Sequence, residues 1–121
     1  MVRPIEELLP AEVFVGVVDL FSALGGPGYG WFRDDALRVV DEAERAHLVI
    51  LGGDVWTYGS EHIKPANANW SENVGRIKPR DNDVARAAEH ARRYIASYPV
   101  ADTPAERAVF EIVFGETSLG H

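Results

Sequence analysis

Apolar and polar positions along this chain repeat with two different periods, and the change from one to the other marks its elements. Between Asp81 and Tyr98 the residues Val84, Ala87, Ala88, Ala91, Ile95 and Tyr98 fall on one face of a 3.6-residue helix, with Arg86, Glu89 and Arg93 opposite. Asp81 or Asn82 can cap its start, and Pro99 ends it. A second helix is predicted from about Asp35 to Ala46: Leu37, Val40 and Ala43 make its inner face, and Asp41, Glu42, Glu44 and Arg45 its outer one. Asp34 and Asp35 suit the positive end of the helix dipole. AVFEIVF, Ala108 to Phe114, alternates with period two and reads as a strand.

The apolar run from His47 to Leu51 has the makeup of a buried strand. Gly52-Gly53-Asp54 interrupts it before Val55-Trp56, which predicts a tight turn with Gly53 in a conformation that a β-carbon would disfavour. The strand at Leu48 to Leu51 is expected to lie beside the one at Ala108 to Phe114. His47, at the strand's mouth with no second ligand at a recognisable spacing, reads as a half-buried boundary residue rather than a metal ligand.

Ala11 to Leu24 carries both periods. Val13, Val17, Leu20 and Leu24 recur at helical spacing, which favours a buried helix, while VFVGVV has strand propensity. The loop from Gly25 to Arg33 places Tyr29, Trp31 and Phe32 among four glycines, where the rings cover the core or form a contact surface. After Trp56 the segment to Asp83 is rich in Asn, Gly, Pro and Ser and reads as an irregular excursion anchored by Ile63 and Trp70, with Asn67, Asn69 and Asn73 in local turns. A polar tail follows from Gly115. The elements describe a small α+β domain, residues 1–121 with an ordered core of roughly 5–115, in which a sheet of few strands packs against two or three helices.

Composition narrows the chemistry. The 121 residues are 46% hydrophobic, enough for a core without staples. The chain has no cysteine, which removes thiolate ligands, thiol nucleophiles and disulfides and suits a reducing cytoplasm. Nineteen acidic against twelve basic residues give a formal charge of −7, which disfavours nucleic acid and favours a cationic partner. The start lacks a basic, then apolar leader and no apolar run could span a bilayer, so a cytoplasmic chain without a membrane partner is expected. No phosphate loop, GxSxG, HExxH or EF-hand spacing occurs. Asp54, Glu61, His62 and Glu72 could supply an acid and base around the excursion, but no spacing forces them together, and neither catalysis nor a metal or cofactor is expected.

Gly52-Gly53-Asp54-Val55 with Trp56, then Asn69-Trp70, then Tyr94-Ile95 and Tyr98-Pro99 resemble the immunity protein 40 family of bacterial polymorphic toxin systems, over roughly Trp31 to Phe114. The resemblance implies a cytoplasmic antidote that binds and blocks a toxin domain without catalysing anything. The contact residues expected are Asp54, Trp56, Tyr58, Glu61, Trp70 and Glu72, facing a basic toxin. Structural roles for Trp56 and Trp70, as pins of the excursion to the core, stay open beside this. The alternative is a small ligand-binding or regulatory module whose aromatic-rich loops form a pocket.

Overall fold

A computed structural model describes residues 5–20, 29–59, 63–71, 81–99, 103 and 105–115. The chain passes through a short helix α1 (Ile5–Leu8), a 3-10 turn (Ala11–Phe14), β1 (Val17–Asp19), β2 (Tyr29–Phe32), α2 (Arg33–Arg45), β3 (Val49–Gly59), β4 (Ile63–Ser71), α3 (Asp81–Ser97) and β5 (Glu106–Gly115). The five strands form one antiparallel sheet in the order β1-β2-β5-β3-β4, so the last strand in sequence lies at its centre. The α+β class expected from the periodicities is the class observed.

Helices α2 and α3 cover one face of the sheet. Ala36, Val39, Val40 and Ala43 of α2 and Val84, Ala87, Ala88, Ala91 and Ile95 of α3 are buried against Val49, Ile50, Val55, Phe110 and Ile112. Alanine dominates the contact because short side chains let the helix axes approach the sheet closely. Arg92 of α3 ties the two helices together, binding Asp41 at 2.8 Å and Glu44 more closely still. Burial pulls its guanidinium pKa down, but the hydrogen bonds to Glu44 and Asp41 outweigh that and leave it above its ordinary value.

The end of α2 sets the direction of β3. Ala46 is the last half-helical residue, His47 follows at φ 60°, and the N–H groups of His47 and Leu48 donate to the carbonyls of Glu44 (3.0 Å) and Ala43 (2.8 Å). This is the Schellman arrangement, with histidine where glycine is commonest. His47 is therefore an exposed helix-terminating residue and not the half-buried strand boundary expected.

Three expectations are corrected. The Gly52-Gly53-Asp54 triplet does not reverse the chain: β3 runs through it, and the glycines form a bulge whose register against β5 shifts between Ile50 and Gly52. The positive φ, 148°, belongs to Gly52 and not to Gly53, because the extra residue of the bulge absorbs the distortion one position earlier. Ala11 to Leu24 is not a helix over its described part: Val17–Asp19 pairs with β2, and Trp31 closes over the preceding turn by donating its indole N–H to the Val13 carbonyl at 2.8 Å. Most of the described part of the supposed excursion is ordered strand, Thr57 to Gly59 ending β3 and Ile63 to Ser71 making β4. As an edge strand, β4 tolerates Pro65, whose missing N–H need not pair.

Candidate functional site

Side chains along a strand alternate between the two faces. Val55, Ala108, Phe110 and Ile112 point to the helices, so Asp54, Trp56, Tyr58, Val109, Glu111 and Val113 point to the other face of β3 and β5. On that face Leu20, Trp56 and Val109 form a second, small buried cluster flanked by Val18, Phe32 and Ile63. Around it lie exposed groups: Tyr58 is 42% and Val113 43% accessible, and Asp54 is exposed.

The polar contacts of this face are specific. Trp56 is buried, and its indole N–H donates to Glu111 Oε1 at 3.1 Å, which holds one carboxylate oxygen at the ring's edge. Asp54 and Glu111 are direct cross-strand partners, and Asn69 is the partner of Asp54 on the other side, so amide, carboxylate and carboxylate stand in one row across β4, β3 and β5. Among the described residues no ion pair reaches Asp54 or Glu111, whereas Asp41, Glu42, Glu44, Asp83 and Glu89 of the helices are all paired with arginine. Phe32 carries the Tyr58 ring edge-on at 5.3 Å and the Arg107 guanidinium at 3.7 Å over its face.

The bulge leaves its own imprint. Gly52 and Gly53 lack side chains, and a depression of about 200 Å³ opens over them, walled by Leu51 and Val113 and rimmed by Asp54 and Asn69. Trp70 reaches this depression from the strand beside it, but its ring belongs to the helical side, stacked on Tyr94 at 4.8 Å with 6% of the residue exposed. Its ring nitrogen is buried without a hydrogen-bond partner.

Of the six expected contact residues, Asp54 and Tyr58 are on the open face, Trp56 is rooted in it, and Trp70 is on the opposite side among core residues. Glu61 and Glu72 lie outside the described residues, as do His62 and the tail beyond Gly115. Phe32 is a candidate contact ring in the sequence; sequence reasoning missed Arg107, Glu111 and Val113. The period-two pattern of AVFEIVF held the signal for the last two, since its second face was legible wherever its first was. Among the described residues no group of three or more His, Asp or Glu could hold a metal ion, and no helix is long and apolar enough to cross a membrane.

No curated protein and no solved structure matches the chain significantly. The sequence from residue 20 to 114, covering every strand but β1 and both long helices, matches the family model described as immunity protein 40. With most of its length and the whole sheet centre inside that match, the chain belongs to the immunity protein 40 family.

Proposed function

We propose that this protein binds and neutralises a cognate toxin domain in the cytoplasm, without catalysis, metal or cofactor, and that it does so with the face of the sheet opposite the helices. The observation that carries the location is the Asp54–Glu111 pair. Like charges directly opposite each other on neighbouring strands weaken a sheet, and here they stand on two inner strands with no cation among the described residues to offset them. A basic partner surface supplies that cation. Tyr58, rigid against Phe32 yet open to solvent, supplies the desolvated contact that charge alone does not, and Trp56 holds Glu111 in place from below. Glu61 and Glu72 complete the contact set.

The ligand-module alternative has less support. The aromatic residues expected on loops are on strands, and a depression of about 200 Å³ is below the roughly 300–1,000 Å³ usual for small-molecule sites.

The test is association with the cognate toxin domain, once its gene is identified, measured against salt. The folded Asp54→Lys, Glu111→Lys double variant is expected to associate at least about tenfold more slowly and to lose the salt dependence of the wild type. Tyr58→Ala should act on dissociation instead. Wild-type rates and salt dependence for the double variant would place the interface elsewhere.

A further inference from the structure

Resting on that reading, we infer that the depression over Gly52 and Gly53 is the seat of a single arginine side chain of the toxin domain. The depression lies beside the aromatic rings of Phe32, Trp56 and Tyr58 on the same face. Gly52, without a side chain, leaves the floor at the backbone, and the bulge requires glycine there, since a β-carbon would come within 2.2 Å of the Trp70 carbonyl oxygen. Leu51 and Val113 give it aliphatic walls suited to a methylene stem. Its rim carries Asp54, a carboxylate with no ion pair among the described residues, and the Asn69 carboxamide directly across the strand pair.

The choice between the two basic side chains follows from the row of acceptors. Asn69, Asp54 and Glu111 are adjacent cross-strand positions on one face, and one Glu111 oxygen is already held by Trp56. A planar guanidinium fork offers several donors at fixed angles and can engage neighbouring acceptors together, whereas an ammonium is a point donor that prefers its water. A hollow with apolar walls and side-by-side acceptors on its rim therefore selects arginine over lysine. An anionic group is excluded by Asp54, and a purely apolar one would leave that carboxylate desolvated and unpaired.

Two measurements on the full chain decide this. In the first, L-argininamide is titrated into the protein alone and followed by backbone amide NMR, with L-lysinamide as comparison. Saturable shifts confined to Gly52, Gly53, Asp54 and Asn69, stronger for argininamide and lost in Asp54→Asn, are expected. Diffuse shifts, or shifts unchanged by Asp54→Asn, would overturn the inference whether or not any toxin is known. In the second, Asp54→Asn is combined with substitution of each arginine and lysine of the cognate toxin domain in turn. One arginine should show a coupling with Asp54 on the order of tenfold in Kd. If the toxin binds and no arginine couples, the seat is wrong while the antidote reading stands. If the toxin does not bind at all, that reading fails and the argininamide result alone judges the hollow.

Discussion

The indole of Trp70 occupies the space in which any residue but glycine at position 53 would carry its β-carbon: an ideal Cβ there would stand 2.4 Å from the ring's Cη2 and 2.3 Å from the Glu111 carbonyl oxygen. The two residues are cross-strand partners, so the diglycine and the later Asn-Trp pair are halves of one packing device. Gly53 and Trp70 thus specify how β3, β4 and α3 fit together, while the neighbouring Asp54 and Asn69 face outward.

Gly53→Ala is accordingly expected to destabilise the protein by about 3 kcal/mol through overpacking, not backbone strain. Trp70→Leu in the same chain should recover only part of this, because the Glu111 carbonyl remains in the way. Gly52→Ala should lose at least a similar amount, about 1–3 kcal/mol, because it adds the strain of a φ of 148° to an overlap with the Trp70 carbonyl that no side-chain change relieves. Urea midpoints of the three single variants and the Gly53/Trp70 double variant separate the two effects.

His47→Gly is expected to stabilise the protein. A histidine at φ 60° bears the Cβ penalty of the left-handed region, about 1 kcal/mol or more, and glycine at this helix-terminating position does not. Part of the gain is lost to glycine's freer unfolded chain, so a net rise of about 0.5 kcal/mol, visible as an increase in Tm, is the expected outcome.

Arg33 reaches across the fold to the end of α3, where its Nη1 donates to the carbonyls of Ile95 at 2.5 Å and Tyr98 at 3.3 Å. A cation placed there meets the negative end of the helix dipole and satisfies carbonyls that the helix leaves open. Arg33→Ala should therefore cost about 1.5–3 kcal/mol, measured by chemical denaturation.

The Tyr94 hydroxyl has its pKa raised above the usual 10.0, first by burial and then by the nearby Tyr98 and Asp54 charges. Below pH 10 folded and unfolded chains both hold the proton and stability does not depend on this group. As pH rises beyond 10 the unfolded chain ionises first, so stability falls until the folded-state pKa is passed. Tyr94→Phe should flatten this alkaline decline in Tm while leaving the neutral value little changed.

The helices and β5 were legible because one face of each is apolar and the other is not, and periodicity reports that contrast directly. Residues Asp81–Ser97 and Glu106–Gly115 are within a residue or two of what the pattern shows. Strand β4 was not legible, since an edge strand can carry Pro65, Asn69 and alternating alanines that on composition alone read as a loop. The diglycine was legible as a site of unusual backbone but not as a bulge, because a turn and a bulge both need a glycine and differ only in what pairs on either side. For the site, the same limit applied one level up: Tyr58 and Asp54 are visible as exposed types, while Glu111 is singled out only by having Asp54 beside it and Trp56 beneath it, which is information held in the register.

The place of β5 also fixes how the two halves of the sheet come together. The β1-β2 pair and the β3-β4 pair share no strand contact except through β5, which lies between β2 and β3. The Asp54–Glu111 couple, the Trp56 hydrogen bond and the Arg107 stack on Phe32 all come into being with that single insertion. Pairing of strands so far apart in sequence is slow relative to helix formation, so the insertion of β5 is expected to limit the rate of folding.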